Sequence, residues 1–175
     1  MRGTVKLLYV SLFILMAVPG WAFDPGAKKS AVADTAVASL KPGQFIWVPE
    51  VAPSGPMTIV VNLQVQRAYV YRNGIRIGAS TISSGKKGHE TPTGVFTILQ
   101  KNKDHRSNLY NNAPMPYSLW LTRDGVAIHG SNVRWGFATH GCVGVPTAFA
   151  AKLFASLTVG DDVLIVPAKA RSRKI

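Results

Sequence analysis

Cysteine is almost absent: the 175-residue chain holds one, Cys142, which excludes a disulfide scaffold. Acidic residues are scarce too, with 8 Asp and Glu against 20 Lys and Arg, for a formal charge of +12. Long apolar runs are missing beyond the first 22 residues, which excludes a polytopic membrane protein. Neither a heptad repeat nor a periodic Gly/Pro pattern is present, so coiled-coil and collagen-like chains are excluded. There is no helix-turn-helix signature, no zinc-finger spacing and no basic stripe interleaved with aromatics, so nucleic acid is not an expected partner. What remains is a chain 47% hydrophobic and 16% charged, enough to bury one core at this length. Its excess positive charge favours an anionic partner of some kind.

The N-terminus reads as an address. Arg2 and Lys6 precede an apolar run from Leu7 to Val18, followed by Pro19-Gly20-Trp21-Ala22. A positive start, a short apolar segment and small residues before a cut after Ala22 describe a secretory leader; an uncleaved anchor is the alternative. The run is short for a spanning helix, so no membrane span is expected after cleavage. Cleavage removes two basic residues and no acid, leaving +10 of the +12. The expected location is the periplasm or cell envelope. In that compartment a lone cysteine is incidental, pairs between molecules, or is a reactive thiol.

Residues 23–56 read as a Pro/Ala-rich linker, with prolines at 25, 42, 49, 53 and 56. The pattern changes at 57. Met57 to Leu63 is a β-branched run, and Asn73-Gly74 separates two further strand-like runs, a strong hairpin signal. Thr93 to Gln100 reads as a strand and 101–116 as a long polar loop. Asp124-Gly125 joins Tyr117–Thr122 to Val126–His129 as a second hairpin. Thr147 is placed to cap a helix through Leu157, with Phe149, Leu153, Phe154 and Leu157 on one face and Gly160 ending it. Val163 to Val166 is a last buried strand. The expectation is a mostly β single domain over 57–168 with one clear helix, followed by a basic tail, 169–175.

The chemistry concentrates between Ile128 and Pro146, where His129, His140 and Cys142 lie close in sequence. A free thiol is only a few per cent thiolate at neutral pH. A neighbouring imidazole can take its proton and return one to a leaving amine. His129 ends a strand and can approach the thiol from across a pocket, so it is the expected base; His140, two residues from Cys142, is a supporting residue. No acid lies nearby in sequence to orient His129. The Gly130 carbonyl is the expected acceptor for its Nδ1–H. Gly141 permits a tight turn, and the N–H groups of Gly141 and Cys142 are candidates for an oxyanion hole. A metal site would have three ligands at best and no convincing fourth; neither metal nor cofactor is expected. His89 and His105 read as solvated loop residues, and Lys86-Lys87 lacks the spacing of a phosphate loop.

These residues resemble the L,D-transpeptidase (YkuD-type) catalytic domain. Its strand-borne His-Gly matches His129-Gly130, and its Thr-His-Gly-Cys block with a following apolar residue matches Thr139 to Val143. Upstream, Thr91-Pro92-Thr93-Gly94-Val95-Phe96 resembles the family's Thr-Pro-x-Gly-x-Phe element, and the opening strands share its cadence. The likeness covers about 57–167. It implies a β-sandwich with one or two short helices and an exported enzyme acting on peptidoglycan. Cys142 would attack a stem tetrapeptide, release D-Ala and form a thioester. A second stem's amine would then give a 3–3 cross-link, a wall-attached lipoprotein's lysine an anchor, and water a tripeptide. The last outcome is the L,D-carboxypeptidase or hydrolase alternative. The resemblance also implies acylation by carbapenems and substrate contacts at Thr139 and at the position of Gly144. Many members carry Arg or Asn where this chain has Gly144; the stretch from His129 to Thr139 is shorter than in some. No peptidoglycan-binding module is recognisable in this sequence. A silent wall-binding module would need a broken nucleophile–base pair, and here both residues stand.

Overall fold

Strand-forming runs dominate the chain because β-branched and aromatic residues alternate with polar ones. The structure, a computed structural model, describes residues 32–133 and 136–168; the leader 1–22 and tail 169–175 lie outside the described residues. In chain order it shows α1 (Asp34–Ala38), β1 (Phe45–Trp47), a 3-10 turn (Pro49–Val51), β2 (Met57–Asn62), β3 (Arg67–Arg72), β4 (Ile75–Thr81) and β5 (Ser83–Gly85). There follow β6 (Gly94–Thr97), β7 (Gln100–Arg106), β8 (Pro114–Trp120), β9 (Ala127–Ser131), β10 (Gly136–Thr139), β11 (Val143–Pro146), α2 (Thr147–Ser156) and β12 (Asp162–Val166).

The strands form two six-stranded sheets, β1-β4-β3-β2-β12-β6 and β10-β5-β11-β9-β8-β7. One continuous core lies between them. Ile59, Val61 and Val70 enter it from the first sheet, Leu119, Ile128 and Val143 from the second, and Phe149 and Leu153 from α2. Strict alternation sets these faces. In β2, Met57, Ile59 and Val61 are buried while their neighbours are half-exposed, the period of a strand with one covered face. The hairpin expected at Asn73-Gly74 joins β3 to β4. Both turn residues have positive φ, 50° and 74°, as a two-residue turn matched to strand twist requires.

Three expectations need correction. Much of the expected linker is built into the fold. β1 pairs antiparallel with β4, and Gly78, which has no side chain, lets the Trp47 ring lie on its backbone; an ideal β-carbon there would be 2.7 Å from the ring. The Arg67 and Arg76 guanidiniums donate to the Val37, Leu40 and Val32 carbonyls and hold the segment down. Three strand residues between prolines carry too little period to be read. Second, 101–116 is not a loop: β7 runs to Arg106 and β8 starts at Pro114. β7 is an edge strand whose sole sheet neighbour is β8, so most of its side chains meet solvent and its composition is polar. Prolines are tolerated in β8 because β9 pairs with it only at Leu119 and Trp120, leaving 114–116 against β7 alone. Third, Thr147 does not cap α2. The helix begins at Thr147 itself, behind Pro146, and makes no side-chain cap hydrogen bond. Leu157 closes it, and Gly160, at φ 96°, belongs to the turn that follows.

Candidate active site

β9 and β11 are parallel neighbours with Val143 opposite Ile128 and Gly144 opposite His129. Paired residues of adjacent strands share a face. Ile128 and Val143 therefore point into the core, and the alternate set points away from it. His129 and Gly144 belong to that second set; Cys142, the residue before β11, follows the same alternation. Cys142 and His129 thus come to one face of one sheet from adjacent strands. His129 is 9% exposed. Its Nδ1 lies 3.0 Å from the Gly130 carbonyl oxygen. A carbonyl only accepts, so Nδ1 carries the proton and Nε2 is left as the basic nitrogen. The acceptor is the one the sequence suggests.

Cys142 is half-buried, and its thiol donates to the Gly125 carbonyl at 3.6 Å. Burial pushes the thiol above its ordinary 9.0, opposed by a backbone hydrogen bond at Ala127. Burial also holds the His129 imidazole below 6.5; the Gly130 bond opposes this and the charge of His105 adds to it. Both shifts favour the neutral thiol and neutral imidazole over a thiolate–imidazolium pair.

The turn that presents Cys142 is braced by Thr139. Its hydroxyl donates to the Cys142 carbonyl at 2.6 Å and accepts from the Gly141 N–H at 3.3 Å. The threonine's one donor hydrogen is therefore used on the backbone. Gly141, at φ 113°, takes a conformation that side-chain-bearing residues rarely adopt. Gly85, at the end of β5, fixes the neighbouring loop: a β-carbon there would collide with the His89 carbonyl and lie 2.6 Å from the Thr91 nitrogen. The Thr91 hydroxyl accepts from the Gly85 N–H at 2.8 Å, and the Lys86 N–H donates to the Thr139 carbonyl at 3.0 Å. The Thr91 motif thus ties loop 86–91 to the cysteine turn. Gly144 has no space for a side chain without displacement of the Ser131 hydroxyl.

A cavity of about 530 Å³ opens over Cys142 and Gly141. The β7–β8 hairpin, in which Tyr117 has a positive φ of 57°, lines it with His105, Ser107 and Tyr110. His89 is an exposed loop residue, as expected, and lines the cavity margin, whereas His105 is not in a loop: it is half-buried in β7 and lines the same cavity, its ring edge-on to Trp120 at 4.8 Å. His140 is exposed. It stacks on Tyr110 at 4.2 Å and meets the edge of His89 at 4.9 Å. Desolvation, Lys86 and His89 all hold it below 6.5. Its ring is engaged with Tyr110 and His89, whereas His129 shares the sheet face with Cys142. Sequence reasoning missed His105, Trp120 and Tyr110, because they lie on a polar edge hairpin whose place beside Cys142 is set by tertiary packing rather than by any local pattern.

The L,D-transpeptidase catalytic-domain model matches residues 56–165. No curated protein matches the chain. Among solved structures, an L,D-transpeptidase from Stackebrandtia nassauensis is 26% identical with a TM-score of 0.59, covering 64% of this chain and 56% of that one. A cysteine-to-serine mutant of the Enterococcus faecium L,D-transpeptidase is 26% identical at a TM-score of 0.58, covering 65% and 50%. The enzyme of Xylanimonas cellulosilytica is 25% identical at 0.58, covering 65% and 61%. The matched part thus spans half to three-fifths of these structures.

Proposed function

Because this chain belongs to the L,D-transpeptidase catalytic-domain family, we propose that it is an exported cysteine transpeptidase that acts on peptidoglycan stem tetrapeptides. The observation that carries this reading is the placement of Cys142 and His129 on one sheet face, with Nδ1 tied to the Gly130 carbonyl. Export through residues 1–22 belongs to the same proposal, since peptidoglycan lies outside the cytoplasmic membrane.

In the proposed reaction the Cys142 sulfur attacks the carbonyl between the third stem residue and its terminal D-Ala. As the carbon–sulfur bond forms, the thiol proton passes to His129 Nε2. A neutral starting pair suits this order, because the proton moves with attack rather than before it. The Cys142 N–H is the favoured donor to the oxyanion; the Gly141 N–H joins it once Thr139 releases it. Collapse breaks the carbon–nitrogen bond, His129 protonates the departing D-Ala amine, and a thioester remains. An acceptor amine attacks, passes its proton to His129 and restores the thiol. A second stem gives a 3–3 cross-link, a lipoprotein lysine an anchor, and water a tripeptide.

The test is incubation with disaccharide-tetrapeptide, read by mass spectrometry. The expected products are free D-Ala and a cross-linked dimer, both absent with Cys142→Ala. Tripeptide alone would assign the hydrolytic reaction instead. Turnover by Cys142→Ala would remove the mechanism.

A further inference from the structure

Trp120 and His105 have no place in the chemistry above, yet they form one wall of the cavity. Leu119 and Leu121 turn into the core, so Trp120 between them faces the other side of the sheet, the side of Cys142. Its indole lies against Gly125; a β-carbon on that glycine would sit 3.8 Å from the ring. The Gly125 carbonyl in turn holds the Cys142 thiol. One residue therefore touches both the indole and the nucleophile. Trp120 Nε1 is buried and finds no acceptor among the described residues, a costly state for a donor unless a ligand supplies one. His105 packs on the same indole, and its charge is felt at His129.

Resting on the transpeptidase reading, we propose that Trp120 and His105 form the subsite for the free carboxylate of the departing residue. Geometry argues for that end of the substrate. The departing amine must come within reach of His129, which protonates it. The carboxylate of the same residue lies no more than one residue length away, about 3.6 Å. It must then fall inside the cavity over Cys142, near the Gly125 wall. An indole N–H without a partner and an imidazole beside it are donors for an anionic oxygen. The cavity's own acids, Glu90 and Asp124, are exposed at its margin. His105 is half-buried and the indole nitrogen fully so. Such a subsite reads whether the stem ends at this residue. A longer stem, or one capped as an amide, presents no charge there.

Binding is measured by calorimetry on the Cys142→Ala protein, which removes turnover from the readout. Two probes are compared: the tetrapeptide ending in D-Ala carboxylate, and the same peptide ending in carboxamide. The acid is expected to bind about tenfold or more tightly. His105→Gln, introduced alongside, is expected to bring that ratio close to one, and Trp120→Phe to reduce it. Equal binding of both probes by the parent overturns the subsite. So does a ratio unchanged in both variants, including the case where both peptides weaken together, since that is a structural effect. A preserved acid preference with no D-Ala release by the Cys142 protein would remove the transpeptidase reading and leave the carboxylate subsite standing. No binding of either probe would overturn both.

Discussion

At the residue scale, Cys142 and His129 are moved in opposite directions by the same cause. Desolvation raises the thiol and lowers the imidazole, which favours the neutral pair at rest. In the proposed reaction His129 stays neutral, and able to accept a proton, to below the usual histidine range. The acylation rate is therefore expected to hold level as the pH falls to 6.5 and to decline only below it. A pH profile whose acid limb is centred at or above 6.5 would contradict this. His129→Gln is expected to slow acylation by about 10²-fold, the usual loss on removing a general base. An unchanged rate would transfer the role to His140. The same shifts shape stability. An unfolded chain protonates this histidine near 6.5, the folded one only at lower pH. Between the two the unfolded state holds more protons, so stability falls as the pH is lowered through that window. The folded thiol keeps its proton beyond 9.0, so stability also falls as the pH rises past that value. Urea midpoints across pH should trace both flanks, and His129→Gln should flatten the acid one.

At the element scale, the loop after β5 owes its shape to one hydroxyl. Thr91 is 5% exposed and satisfies the Gly85 N–H, in a place where Gly85 itself leaves no room for adjustment. Thr91→Val keeps the volume but leaves a buried donor unpaired, at a cost of about 1–3 kcal/mol. Thr91→Ser keeps the hydroxyl and should recover most of that. Chemical denaturation measures both, and equal stabilities for the two variants would show that the bond contributes nothing.

Elements also show what the sequence could reveal. The β2 run, the Asn73-Gly74 hairpin, α2 and β12 announce themselves because their local pattern and their burial agree. His129 and Cys142 stand out by residue type, and the fold brings them to one sheet face. β1, β7 and β10 do not announce themselves, because short or edge strands take their order from a partner's backbone rather than from a hydrophobic period. His105 stayed hidden for the same reason. Its strand reads as polar loop, and only the fold brings it into the cavity that Cys142 lines. The role of Thr91 was visible as a motif, but its cause, the collision at Gly85, exists only in three dimensions.

At the scale of the whole molecule, the relevant quantity is charge. A chain at +12, or +10 without its first 22 residues, surrounds itself with a positive potential. That potential acts on a polymer and on a small fragment in different ways. An anionic envelope polymer offers many charges over distances comparable with the protein, and attraction across them is long-ranged. A soluble disaccharide-tetrapeptide meets only the cavity, where its contacts are short and partly desolvated. Raising salt from about 0.01 M to 0.15 M shortens the screening length from about 30 Å to about 8 Å. The first kind of attraction is lost and the second largely kept. The rate on intact, insoluble peptidoglycan is therefore expected to fall several-fold over that range, while the rate on the soluble fragment stays nearly constant. Parallel D-Ala release assays on the two substrates measure this directly. An equal salt response on both would place the electrostatic contribution within the cavity, and an absent response on both would show that the positive surface plays no part in reaching the wall.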